Sequence, residues 1–176
     1  IEFVATCNRD DSEYQKKKIE LCKSNNVKIV ENINGNEEYF ISFLKDNNID
    51  LVVLSWWPTI IKLESIKAVN DGWINLHPSF LPYGRGKHSY FWSIVEGTTF
   101  GVSIHFIDDG IDTGPILFQK KIEVSFIDTG EMLYERGVKE VIKLFKTNYK
   151  HIAKGNYTPL KQNDQISTTH YAIEIE

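Results

Sequence analysis

The sequence predicts an α/β fold, a mostly parallel twisted sheet with flanking helices. Apolar runs of strand length alternate with stretches of helical periodicity through the first half of the chain, as parallel strands joined by crossover helices require. A loop rich in Gly and Pro then follows the fourth apolar run, at the strand end where sheets of this class place their sites.

In chain order, residues 2–7 read as a buried strand, and residues 11–24 as a helix with Tyr14, Ile19 and Cys22 near helical spacing. A second strand covers 27–31. Residues 37–46 bring Tyr39, Phe40, Phe43 and Leu44 to one helical face, and strands follow at 50–55 and 73–76. Residues 79–87 contain Pro82, Gly84 and Gly86 and must form a loop, with a short helix at 90–96 behind it. In 101–107, Val102, Ile104 and Phe106 alternate with Ser103 and His105, the mark of a strand with two distinct faces. A turn-rich link (108–115), another strand (116–124) and a long helix (129–153) complete the pattern. We expect one domain over residues 1–154, truncated at its N-terminus because the chain opens inside a strand. Residues 155–176 read as a polar tail or a linker to a further C-terminal region.

The 176 residues suffice to bury a core, and 41% hydrophobic with 25% charged residues is the balance of a globular protein. No apolar run approaches the about 20 residues of a membrane span, so no membrane association is expected. A net charge of −4 argues against nucleic acid as a partner, and the basic run Lys16, Lys17, Lys18 reads as a solvated helix face. Cys7 and Cys22 have neither metal-site nor disulfide spacing, which fits buried thiols and a cytoplasmic location. The tripeptide Asn156-Tyr157-Thr158 matches a glycosylation acceptor, a common chance match.

The segment INLHPSFLP sets Asn75 and His77 two residues apart at a strand end, on one side. An amide donor and an imidazole converging there can stabilise an oxyanion and exchange protons with it. Taken alone, the pair reads more readily as a turn cap and a loop histidine satisfied by the backbone. Asp108, Asp109 and Asp112 fall in IDDGIDTGPI, where acids beside Gly and Thr are ordinary turn residues. Asp112 precedes the fixed bend Thr113-Gly114-Pro115, which can aim its carboxylate. The spacings match no metal-binding template.

The stretch INLHPSFLPYGRGKHSYFWSIVEGTTFGVSIHFIDDGIDTGPILFQKKIEV resembles the core of the folate-dependent formyltransferase family. An N-x-H-P-S-x-L-P segment is followed, after an H-F strand, by a D-x-G-P turn. The resemblance implies a Rossmann-like formyltransferase fold whose first strand has no counterpart before Ile1. It is nearest the sugar N-formyltransferase and methionyl-tRNA formyltransferase branch, through Tyr83-Gly84-Arg85-Gly86 to Trp92. The extra glycine at Gly84, and Ser89 where the family has proline, set the acceptor loop apart.

The resemblance further implies that Asn75, His77 and Asp112 are catalytic. It implies 10-formyltetrahydrofolate as donor cosubstrate, held by Trp56, Trp57, Pro58, Thr59 and Ile60 and by Ile107, Asp108 and Asp109. Adjacent tryptophans suit a flat heterocycle, although one of the two is expected in the core. The acceptor side would use Pro78, Ser79, Tyr83, Arg85, Gly86 and Lys87, with Arg85 and Lys87 on a phosphate. A carboxylate beside His77 would raise the imidazole pKa, whereas His105 is expected either as a satisfied core residue or as a support for Asp112. The expected reaction is formyl transfer to a primary amine, on a nucleotide-linked amino sugar. Phosphoribosylglycinamide and methionyl-tRNA are alternative acceptors, and a non-catalytic folate-binding module is the alternative of another class. A homodimer stays open.

Overall fold

The computed structural model describes residues 3–6, 13–31 and 33–175, so Cys7 lies outside the described residues. The chain divides into two compact units, Ile1–Val52 with Trp56–Gly72, and Val53–Ser55 with Trp73–Glu176.

In the first unit, β1 (Phe3–Ala5) pairs in parallel with β2 (Lys28–Val30), with Val4 opposite Ile29. Parallel neighbours need a crossover, and α1 (Glu13–Ser24) provides it. Lys16, Lys17 and Lys18 are exposed on this helix, while Cys22 is buried. Helix α2 (Glu38–Asp46) sinks Phe40 and Leu44, one turn apart, into the core. Phe3 meets Phe43 edge-on at 5.0 Å between ring centroids. Asn47 ends α2 by donating from Nδ2 to Phe43 O at 2.8 Å. A single turn of helix, α3 (Leu63–Ile66), follows the Trp56–Ile60 loop. Asn36 ties that loop down, donating from Nδ2 to Ile60 O at 2.8 Å and accepting from Lys62 N at 2.6 Å.

The second unit is built on a sheet in the order β3 (Val52–Ser55), β4 (Trp73–His77), β6 (Gly101–Phe106), β7 (Ile116–Lys121). The two-residue strand β5 (Arg85–Gly86) and helix α4 (Ser89–Glu96) lie between β4 and β6 in sequence. The α/β class expected from sequence is the class observed, and the strand expected at 50–55 does neighbour the one at 73–76. Parallel pairing holds for β1 and β2, whereas β4, β6 and β7 pair antiparallel. Residues 107–115, which join β6 to β7, are too few for a helical crossover. Helix α5 (Gly130–Ile152) starts at a Thr129 cap whose hydroxyl accepts from Met132 N, and it buries Leu133, Gly137, Val141 and Ile152.

The stretch read from sequence as a polar tail or a linker packs within the second unit: among residues 155–175, Leu160 bridges Ile116, Gln162 is buried, and β8 (Thr169–His170) pairs in parallel with β5. The segment buries single polar side chains and backbone, not an apolar stripe, so no periodicity announced it. Among the described residues no helix is long and apolar enough to cross a membrane.

Candidate active site

Asn75 and His77 lie two residues apart on β4, and the pleat sends both side chains to one face. The antiparallel register sets His105 opposite Asn75 and Ser103 opposite His77, which places all four on that face. Between Ile104 and His105 the ladder to β7 slips by a bulge, a device that re-aims side chains beside functional sites.

Asp112 reaches this face from the turn after β6. Its Oδ2 is 3.6 Å from His77 Nε2, and its Oδ1 is 3.4 Å from His105 Nε2. Asn75 Nδ2 donates to Oδ1 at 3.3 Å and lies 3.5 Å from His105 Nε2. The tightest contact is with the main chain, where the Gly86 N–H donates to Oδ2 at 2.9 Å. The backbone of Asp112 is left-handed, with φ 52°.

Carbonyl partners fix the histidine tautomers, because a carbonyl can only accept. His77 donates from Nε2 to Gly84 O at 3.0 Å, and His105 donates from Nδ1 to Phe106 O at 2.7 Å. The remaining nitrogen of a neutral His105, Nε2, can then accept from the Asn75 amide. His105, 1% exposed, is thus both a satisfied core residue and a neighbour of Asp112.

Burial pulls the His77 imidazole below its usual range, against the charge of Asp112; His105 adds to the lowering and the bond to Gly84 opposes it. The expected raised pKa is therefore overturned: for a ring 6% exposed, loss of water outweighs a carboxylate at 3.6 Å. Burial pushes the Asp112 carboxyl up, yet the His77 and His105 imidazoles and the Gly86 amide hold it well below the usual carboxylate range. Either imidazole exerts that hold only when charged, and both the burial of His77 and the accepting Nε2 of a neutral His105 weaken it. We assign a carboxylate all the same, because Gly86 and Asn75 stabilise its charge whatever the state of His77.

The acceptor-side residues divide. Arg85, expected on a phosphate, is 4% exposed: Nε and Nη2 donate to Gln162 Oε1 at 3.0 and 2.9 Å, and Nη2 donates to Asp164 Oδ1 at 2.7 Å. Ser79 is also buried, its carbonyl accepting from Ser103 Oγ at 2.7 Å. Both brace the loop, and neither presents its side chain to a ligand in this conformation. Pro78 and Tyr83 are half-buried, Lys87 is exposed, and Gly86 serves Asp112. Glycine is required at 86: its φ is 83°, and a β-carbon would lie 2.1 Å from His170 O.

Of the residues expected to hold the folate, Asp108 shapes its own turn, Oδ1 accepting from Gly110 N at 3.1 Å and Thr113 Oγ1 at 2.5 Å. Ile107 donates its N–H to Trp73 O, and Asp109 is exposed. In the first unit Trp56, left-handed at φ 53°, is 43% exposed and Ile60 is 65% exposed. Trp57 and Pro58 are half-buried and Thr59 is exposed, with Trp57 Nε1 donating to Thr59 Oγ1 at 3.0 Å. Neither tryptophan belongs to the core. Their exposed apolar surface, with Ile60, fits a flat heterocycle. Sequence reasoning missed Gln162, which lies in a segment without helical or strand period and gave no signal.

The profile of the formyl transferase family matches residues 5–147. The chain belongs to that family. It is 31% identical over 133 residues to methionyl-tRNA formyltransferase of Lachnospira eligens, covering 75% of this chain and 42% of that protein. It is 36% identical over 105 residues to GDP-perosamine N-formyltransferase of Brucella melitensis, covering 59% and 40%. The formyl transferase chain thus spans less than half the length of these relatives. Its fold is similar to that of the formyltransferase PseJ from Anoxybacillus kamchatkensis, solved with UDP-4,6-dideoxy-4-formamido-L-AltNAc and tetrahydrofolate. That superposition has a TM-score of 0.75 at 24% identity and covers 97% of this chain and 85% of the other.

Proposed function

We propose that this chain is the catalytic part of an enzyme that transfers formyl from 10-formyltetrahydrofolate to the primary amine of a nucleotide-linked amino sugar. The observation that carries the reading is the Asp112 carboxylate set within 3.6 Å of both the His77 imidazole and the Asn75 amide in a member of this family. Bound 10-formyltetrahydrofolate supplies an activated formyl group. As an amine adds to the formyl carbonyl, Asn75 Nδ2 and His77 Nε2–H, which donate to Asp112 Oδ1 and Gly84 O in this conformation, are the groups that turn to the oxygen on which negative charge builds. Donors aimed at such an oxygen are worth about a hundred- to a thousandfold each. Asp112 Oδ2, a carboxylate, takes up the proton that the amine must lose, and that proton goes to the folate nitrogen as its bond to the formyl carbon breaks and tetrahydrofolate leaves. In the first unit, Trp56, Trp57, Pro58, Thr59 and Ile60 are the residues we assign to folate binding; in the second unit, Ile107 and the Asp108 turn are assigned to the same ligand, and Lys87, the exposed cation of the Gly-rich loop, to the acceptor phosphate. Relatives of both kinds are similar to this chain, and the net charge of −4 supports an amino sugar over a transfer RNA as acceptor.

The test is a panel of acceptors offered with 10-formyltetrahydrofolate to the full-length protein, with tetrahydrofolate release as readout. We expect turnover with nucleotide-linked amino sugars alone. Turnover with glycinamide ribonucleotide or methionyl-tRNA would reassign the acceptor, and folate binding without release would favour the non-catalytic module.

A further inference from the structure

Asp112 depends on its main chain for its position. Its side-chain contacts with Asn75 and His77, at 3.3 and 3.6 Å, are long, and its backbone sits in the left-handed region that a residue with a β-carbon seldom adopts. The support comes from the returning C-terminal segment. Gln162 Nε2 donates to Asp112 O at 2.8 Å and to Gly114 O at 2.7 Å, on either side of the bend. Its Oε1 accepts twice from Arg85, so the amide, 6% exposed, uses two donors and two acceptors, its full capacity. That arrangement also fixes the amide orientation, since a flipped amide would set Oε1 against two carbonyl oxygens and its NH₂ against a guanidinium. Arg85 precedes Gly86, whose N–H holds Oδ2. One buried amide therefore joins the backbone of Asp112 to the strand that grips its carboxylate.

We propose that Gln162 is a positioning residue for the reaction centre, locking the Asp112 turn in the left-handed conformation that delivers its carboxylate to Asn75 and His77. This rests on the reading of Asp112 as a catalytic group. A displacement of about 1 Å in such a group lowers the rate on the order of a hundredfold without altering ligand affinity.

Gln162→Glu separates the two duties of the amide: its carboxylate still accepts from Arg85 but repels the Asp112 and Gly114 carbonyls. Two readouts apply, steady-state kinetics and NMR of the Gly86 amide and the His77 ring. We expect kcat to fall on the order of a hundredfold with KM for donor and acceptor within about twofold. The Gly86 amide resonance should move and the His77 titration should shift down. Asp164→Asn, which weakens only the exposed partner of Arg85, should leave kcat unchanged. If the glutamate variant fails to fold, Gln162→Met supplies the same readings. Unmoved Gly86 and His77 resonances overturn the proposal whatever the rate, and so does a wild-type kcat or a rise in KM alone. Absence of turnover in the unmodified protein would instead count against the proposed function, and the resonances would still decide whether Gln162 positions Asp112.

Discussion

Burial draws a proton off His77 while Asp112, 3.6 Å away, draws one on. Removing the carboxylate leaves only the first influence, so Asp112→Asn should lower the His77 pKa further, measured as an NMR titration of the ring. An unchanged or raised value would mean that Asp112 does not act on that ring. His77→Ala and Asp112→Ala should each cut the rate about a hundred- to a thousandfold with the fold intact; near wild-type rates would remove the residue from the mechanism. Stability carries the same signature. A buried His with a lowered pKa binds fewer protons folded than unfolded, so stability is lost as pH falls below about 6.5. Asp112, also lowered, adds a further loss at more acidic pH. That Asn75, His77 and Asp112 belong together was expected only through the family motif, because strand-end and turn signals alone fit a turn cap, a loop histidine and an ordinary turn acid. The proton affinity of His77 was not legible, because it is set by how deeply the ring is packed, which one segment of sequence does not encode.

The pairing of β5 with β8 has its own electrostatic latch. His170 stacks on Trp92 at 3.9 Å between ring centroids and meets Glu96 and Glu174, each at 2.8 Å. Burial works against its charge, but the two carboxylates prevail and raise its pKa. A raised pKa gives stability that is fully present below the unfolded value near 6.5 and is lost as pH rises through the folded value. The Lys87 amide, which donates to His170 O, should therefore exchange faster with solvent above that point, and His170→Gln should flatten the trend. A steep dependence surviving in the variant would assign the effect elsewhere. At the same crossing, Gly86→Ala should separate the strands, seen as lost protection at Lys87. The strands of the sheet could be read because each carries a run of apolar residues in its sequence. The two residues of β8 could not, since a strand that short is held by its partner and by a histidine 74 residues from Glu96.

At the scale of the molecule, residues 155–175 are part of the second unit and support it. A chain ending at residue 154 would leave the Arg85 guanidinium, 4% exposed, without Gln162 and Asp164. A hydrogen bond to a charged group contributes about 1.5–3 kcal/mol, so the shortened chain should unfold at lower urea with a loss of at least that size, followed by tryptophan fluorescence. An unchanged midpoint would mean that the segment rests on the unit without supporting it. Composition and alternation were enough to place the α/β class, because core burial is a bulk property of the sequence. They could not place a boundary at residue 155, because what brings the chain back is a handful of specific polar contacts. The bond between Arg85 and Gln162 spans 77 positions, and it ties the history of the two sites together. A lineage that replaced the arginine would free the glutamine to drift, and one that lost the glutamine would be left with a cation it could not keep. Across related proteins these two positions should change in step, as though inherited as a single residue.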